Sequence, residues 1–312
     1  MVQLKSVSPL QVAPALALLV FLAWNVCGQV LPAEGSYASH AVVATAENAA
    51  VVEIAVGNKW TISGNWSEAA AAYRHATQLN PRSATAFGNL GHAYSRLNQL
   101  EEARDSLQHA LDLAPNSAVF AYNLGNIYLK LGKPTNSIEL LQLALKLRPH
   151  FFEALNDLGN AFAELGRHPD AIAAFKEAIQ LRPDSGVAHH NQGIVYADLG
   201  RFSDAATALQ KATTLDPSNA QTYADLGLVY LRLNAFESAS QALEHAVCLA
   251  PVDVRAQYHL GMAYLKLKRE ESFWRQYAVV KNVEPGLAKQ LYDAFYSNRV
   301  LTVPGKEKDG PR

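Results

Sequence analysis

Two adjacent histidines, His189 and His190, together with Asp157 and Asp225, are the side chains of this 312-residue chain best suited to hold a metal ion or move a proton. Neighbours on a helix point about 100° apart, so the histidine pair cannot grip one ion together. His190, Asp157 and Asp225 belong to successive repeats, whose elements would stack about 9 Å or more apart, long for shared coordination. The chain has no phosphate-binding loop, no GxSxG, no HExxH and no CxxC. These absences lead to the expectation of no metal, no cofactor and no catalytic activity. Hydrogen-bonding chemistry is better represented. Asn89, Asn123, Asp157, Asn191, Asp225 and His259 recur 34 residues apart, and three places further along stand His92, Asn126 and Asn160, with Asn58 one period earlier. An asparagine offers a donor and an acceptor together, matching a peptide unit. Asn and Asp are also up to about 0.7 kcal/mol worse than alanine in a helix, so stability alone would not select them. A plain solvated helix face is the competing reading.

The same 34-residue spacing governs the structural residues. Pro81, Pro115, Pro149, Pro183, Pro217, Pro251 and Pro285 keep it, and so do Gly57, Gly91, Gly125, Gly159, Gly193, Gly227 and Gly261. A fixed period of this length marks a stacked repeat. Aligned on the glycine, the units are 50–83, 84–117, 118–151, 152–185, 186–219, 220–253 and 254–287. Phe87, Leu90, Gly91 and Tyr94 fall at i, i+3, i+4 and i+7, one face of a first helix, and Ala103, Leu107 and Ala110 at i, i+4 and i+7 mark a second. Each unit is therefore predicted to be a helical hairpin. A mid-helix glycine costs about 1 kcal/mol relative to alanine, a cost that close helix packing must offset. Bulk comes from the column Trp60, Tyr94, Tyr128, Phe162, Tyr196, Tyr230 and Tyr264, predicted to fill the space between helices. Gly64, Gly132, Gly166 and Gly200, with Asn98 and Asn234 in the same column, suit a left-handed residue closing the first helix. Proline ends the second helix.

In these residues the chain resembles the tetratricopeptide repeat (TPR) family over about 238 residues: Leu124-Gly125, Tyr128, Leu141, Ala144 and Pro149 follow its pattern, with Ser137 for its first alanine. The family's early tryptophan is replaced by Glu53, Phe87, Ala121, Leu155, His189, Tyr223 and Gln257, where His189 is expected to be packed. In the seventh unit Phe273 and Val280 replace alanines and Lys268 replaces the turn glycine, so that unit is expected to pack differently. The resemblance implies an all-α, right-handed superhelical solenoid of helix-turn-helix repeats whose first helices line an inner groove. It places Asn89, His92, Asn123, Asn126, Asp157, Asn160, Asn191, Asp225 and His259 in that groove and implies a protein or peptide partner held as an extended segment. Five or six neutral hydrogen bonds at about 1 kcal/mol each, less the cost of ordering a peptide, correspond to micromolar affinity or weaker. Charge varies along the groove, with Arg96 and Lys130 near one end, Glu153, Asp157, Glu164, Asp198 and Asp225 in the middle, and Arg232, Arg255 and Lys266 near the other, so the middle is expected to prefer basic segments. Family members that clamp a C-terminal carboxylate use lysine, asparagine and arginine at sites filled here by Tyr122, Asn126, Asp157, Val187 and Asn191, which do not supply that clamp.

A solenoid needs its open end covered by a polar outer face. Residues 286–299, with Leu287, Leu291, Ala294 and Phe295 on one face, are predicted to be a capping helix, and 300–312 a disordered tail. At the other end Lys5, an apolar run over 13–26 and the small residue Gly28 give the layout of a signal peptide over 1–28, then a flexible linker over 29–49. The run is shorter than the roughly 20 residues that span a bilayer. The expectation is an exported protein, periplasmic or secreted, with an uncleaved membrane anchor or a lipid on Cys27 as the alternatives. Cleavage would leave Cys248 alone, without an internal disulfide, and its place late in a second helix reads as a buried small apolar side chain.

The chain carries 27 basic and 28 acidic residues, a balance without the counterion-release footprint of nucleic-acid binding. The sequence is that of a protein-interaction scaffold or adapter. A membrane-anchored assembly factor, acting through its outer surface or by self-association, is the alternative.

Overall fold

The computed structural model describes residues 34–300, with side-chain surroundings for 45–297; the proposed leader, the start of the linker and the tail beyond 300 lie outside the described residues. Fifteen helices succeed one another, with no strand among the described residues. They pair as α1 (Glu34–Ile62) with α2 (Trp66–Leu79), α3 (Ala84–Arg96) with α4 (Leu100–Leu113), α5 (Ala118–Lys130) with α6 (Pro134–Leu147), and α7 (Phe152–Glu164) with α8 (His168–Leu181). Next come α9 (Gly186–Asp198) with α10 (Phe202–Leu215), α11 (Ala220–Arg232) with α12 (Phe236–Leu249), α13 (Val254–Lys266) with α14 (Glu270–Val283), and finally α15 (Pro285–Val300). The two helices of each pair pack on each other, and each second helix packs on the first helix of the next pair, which makes an all-α solenoid.

Local chemistry sets the boundaries. Ser83, Ser117, Ser185, Asn219 and Asp253 cap first helices, each side chain accepting a backbone N–H three residues on. Unit four has Phe151 at that place and no side-chain cap. The turn after each first helix is closed by a residue of positive φ, glycine at four units, Asn98 (60°) and Asn234 (58°) at two, and Lys268 (57°) at the last. Asparagine tolerates this left-handed conformation because its side chain bonds locally, whereas a lysine there is strained.

The repeating glycine is a contact surface. A Cβ on Gly159 would lie 2.6 Å from the Phe175 ring, and one on Gly193 2.7 Å from Leu209. Leu107, Leu141, Phe175, Leu209 and Leu243 thus enter the gap that the missing side chain leaves, and all five are fully buried. The seventh unit departs from this arrangement, as its sequence suggests. Its residue in that column is Tyr277, which packs instead against Trp274 and Tyr292, and the space beside Gly261 is taken by Leu291 of α15, 3.2 Å from where a Cβ would stand. Phe273 and Val280 are both fully buried, and Phe273 stacks on Phe295 at 4.9 Å, so the last hairpin and α15 share one core.

Several expectations need correction. Helix α1 starts at Glu34, so residues 34–49 continue the first helix and are not a flexible linker. Trp60 is 36% exposed, unlike Tyr94, Phe162 and Tyr196 in its column, which are buried. The reason lies in the partners of that column: the Tyr94 hydroxyl accepts from Arg74, and the Tyr264 hydroxyl donates to Glu244, each partner on the second helix of the preceding unit. Trp60 has no preceding unit among the described residues. Cys248 is exposed, and its column elsewhere holds Gln78, Asp112, Lys146, Gln180 and Thr214, a polar outward series. His189 is half-buried, its Nε2 3.2 Å from the Pro183 carbonyl; Gln257, in the same column, donates to the Pro251 carbonyl at 3.1 Å.

Candidate functional site

Because successive first helices lie side by side, a residue on one meets a residue about 34 places later on the next. Asn126 of α5 donates through Nδ2 to Asp157 of α7 at 2.9 Å. Asn191 of α9 donates to the Oδ1 of Asn156 at 3.2 Å, and His190 meets Asp225 of α11 through Nε2 at 2.9 Å. Gln221 donates to the other Asp225 oxygen at 3.0 Å. At the N-terminal end Asn58 accepts from the Tyr73 hydroxyl at 2.7 Å and from Asn89 at 3.4 Å. Polar side chains on the inner face are thus fastened to one another across hairpin junctions.

Two concavities open along this face and share Asn126 and Lys130. The larger, about 590 Å³, is bordered by Asp157, Asn160, His190 and Asn191, with Glu164 and Asp198 at its edge. The smaller, about 240 Å³, lies between α3 and α5 and is bordered by His92, Ser95, Arg96, Tyr122 and Asn123. Asn123 and Asn160 make no side-chain hydrogen bond to any described residue, so their amides are free to bind elsewhere.

Electrostatics derive from burial and neighbours. Burial raises Asp157 above the usual carboxylate range, opposed by hydrogen bonds from Asn126, Tyr122 and Asn156 and by the Lys130 charge. Burial beside Asp157 also raises the Tyr122 phenol. The hydrogen bond to Asp225 raises His190, overcoming the opposing effect of its own burial. His92 is lowered by burial and by the charges of Arg96 and Lys130.

Of the nine residues assigned to the groove, Asn126, Asp157, Asn160 and Asn191 meet in the larger concavity, and His92, Asn123 and Asn126 in the smaller. Asp225 joins through His190. Asn89 is tied to Asn58, while His259, lowered by burial and packed edge-on to Tyr258, borders neither concavity. Tyr122, Asn156 and His190 are absent from those nine; they occupy the column three places before the repeating glycine. The signal for them is present in the sequence: Asn156 with Asn191, and His190 with Asp225, are polar pairs 35 apart, one period plus one residue. Among the described residues no group of three or more His, Cys, Asp or Glu side chains is placed to hold a metal ion, and no helix is long and apolar enough to cross a membrane.

Two tetratricopeptide repeat models match the chain, one over residues 57–98, 96–132 and 193–234 and the other over 122–186 and 225–273, together well over half its length. The chain belongs to the tetratricopeptide repeat family. No curated protein matches this TPR chain in sequence at a significant level. Among solved structures it is similar in fold to a chain of the APC/C hetero-tetramer Cut9-Hcn1 (23% identity, TM-score 0.60), covering 69% of this chain and 42% of that one, so it spans less than half of that relative. It is also similar to Pseudomonas aeruginosa PilF (20%, TM-score 0.61, 68% of this chain and 96% of that one). A third is YrrB, described as a TPR protein with an unusual peptide-binding site (24%, TM-score 0.50, 60% and 96%). At these identities the likeness is one of fold.

Proposed function

We propose that this TPR protein is an exported, non-catalytic scaffold that holds an extended segment of a partner protein along its inner face. The observation that carries the reading is the contrast between fastened and free amides. Asn126, Asn156 and Asn191 are spent on one another and on Asp157, which stiffens the face, while Asn123 and Asn160 border the two concavities with their hydrogen-bonding groups unused. A preorganised face with a few free donor–acceptor groups suits a peptide backbone, because little ordering cost is left to the host. The peptide-binding site of YrrB lends support by analogy of fold. Balanced charge favours a protein partner over nucleic acid. Export rests on the N-terminal sequence pattern, and its test is the N-terminal residue of the mature protein.

The groove is tested by capture of partners from the native host with Asn123→Ala plus Asn160→Ala. Both side chains lack internal hydrogen bonds, so the double variant keeps the fold. Capture falling tenfold or more supports the groove, and undiminished capture removes it.

A further inference from the structure

A third crevice, of about 350 Å³, opens where the first two hairpins meet, and it shares no residue with the two concavities of the inner face. We infer that it receives a tetrahedral oxyanion of the phosphate class, either free or as a monoester with an apolar stem. Its polar border is made of Ser67 and Arg74 from α2, Tyr94 from α3 and Gln99 from the turn into α4, with no acidic side chain among the bordering residues. Ser67 and Arg74 stand seven places apart, so they share one face of α2 and look into the same space.

The argument turns on where the Tyr94 proton goes. The Arg74 guanidinium donates to the Tyr94 hydroxyl at 2.7 Å from Nη2 and 3.1 Å from Nε, and it makes no ion pair with a described residue. A hydroxyl that accepts from a guanidinium still has its own proton to give, because arginine has no acceptor. In the seventh unit the same hydroxyl column is served differently: Tyr264 gives its proton to the carboxylate of Glu244, which stands in the column of Arg74, at 2.8 Å. In the sixth unit Gln210, again in that column, bonds to the Tyr230 hydroxyl. One junction bond is thus made by arginine, glutamine and glutamate in turn, and only with arginine is the site left cationic and without an acceptor. An anion in the crevice takes the place that Glu244 fills by itself, accepting from Tyr94 while it neutralises Arg74. The Tyr94 ring is 8% exposed, so its hydroxyl is held in position before any ligand arrives.

Shape and size narrow the ligand. Guanidinium, phenol, Ser67 hydroxyl and Gln99 amide come from three elements and approach from different sides, which suits the several acceptor oxygens of a phosphate better than the single plane of a carboxylate. About 350 Å³ is the liquid volume of roughly twelve waters, more than a bare anion needs. Ala70, Ala71 and Leu97 supply an apolar wall for a short stem.

The test is NMR of the whole chain, following the Arg74 Nε–H and the Gln99 side-chain amide. Three probes are titrated at matched pH and ionic strength: inorganic phosphate, phenyl phosphate, and benzoate, which keeps the stem and replaces the tetrahedral head by a planar one. Saturable shifts of both signals with at least one of the phosphates, and weaker binding of benzoate, are the expected result. Tighter binding of phenyl phosphate identifies an ester as the ligand, and equal or tighter binding of inorganic phosphate identifies the free anion. Arg74→Gln reproduces the residue that Gln210 supplies at the equivalent place, so it keeps the bond to the tyrosine hydroxyl and the fold, and it weakens phosphate binding at least tenfold. Absence of saturable shifts with both phosphates, benzoate binding as tightly as phenyl phosphate, or an affinity unchanged in Arg74→Gln overturns the proposal. Because no residue is shared with the inner face, partner capture by Asn123→Ala plus Asn160→Ala tests the groove and this titration tests the crevice, each without the other.

Discussion

At the C-terminal end of the stack the slot beside Gly261 is filled by Leu291, and Phe273, Val280 and Phe295 close around it. At the N-terminal end Val52 and Val56 stand 61% and 40% exposed, although the residues one period later, Ala86 and Leu90, and two periods later, Leu124 in the column of Val56, are buried. The two ends carry the same repeat and differ in the helices packed against it. A terminal unit either recruits an extra element to complete its core, as α15 does, or leaves its stacking columns open, as α1 does among the described residues. Burial in a solenoid is therefore a property of the junction rather than of the residue.

The largest expected effect tests whether α15 is part of the core. Leu291→Ala should destabilise the protein by about 2–5 kcal/mol, as much as Leu243→Ala in the interior, because both leave a cavity beside the repeating glycine. Urea unfolding monitored by circular dichroism reads this directly. A cost under about 1 kcal/mol would make α15 an ornament and the two ends equivalent. Repeat arrays unfold in parts, so loss of cooperativity confined to the last hairpin is also informative.

A second substitution sharpens the contrast between interior and end. Gly193→Ala gains about 1 kcal/mol of helix propensity but drives a Cβ to within 2.7 Å of Leu209, and overpacking of this kind costs about 1–3 kcal/mol. At Gly261 the nearest atoms are the methyl ends of Leu291 at 3.2 and 3.3 Å, which need to yield only slightly. Gly261→Ala is expected to be near neutral and Gly193→Ala clearly destabilising. Equal melting temperatures for the two variants would show that the seventh hairpin closes like the others.

The fold was legible because its determinants repeat: glycine, alanine and proline at fixed offsets specify helix, contact and stop in every unit alike. The ends were less legible. Trp60 carries the residue type of its column and none of the burial, since burial comes from the second helix of the preceding unit. Glu34–Ala49 look like a tether by composition and are helical in continuity with α1. In the site, the polar columns were readable but their bonding was not. Asn126 and Asn191 reach across junctions to Asp157 and Asn156, and His190 joins Asp225, through a one-residue offset between neighbouring first helices that single-column reading cannot reveal.

That offset pair gives an interior junction that neither end possesses. His190 is raised above its ordinary value by Asp225, so its contribution is fully present below the unfolded pKa of about 6.5 and is lost as pH climbs through the higher folded value. His190→Gln should cost about 1 kcal/mol at pH 6 and close to nothing at pH 8.5. The groups around the imidazole are Asp225, Asn191 and, in the adjoining concavity, Asp157 and Asp198. A pH-independent cost would assign His190 a packing role and remove the charged pair from the junction.

The smallest effect is expected where the stack is open. Val52→Ser plus Val56→Ser should change stability by no more than about 0.5 kcal/mol each, the usual range for exposed positions, while Leu124→Ala, in the column of Val56, should cost about 2–5 kcal/mol. The comparison depends on Val52 and Val56 being exposed in solution as they are in the fold. A penalty above about 1.5 kcal/mol would mean that this face is covered, either by residues 1–33 or by another copy of the chain. Sedimentation velocity separates those outcomes, since only self-association depends on concentration. A monomer with unchanged melting would leave α1 as the one first helix, among the described residues, whose stacking columns face solvent.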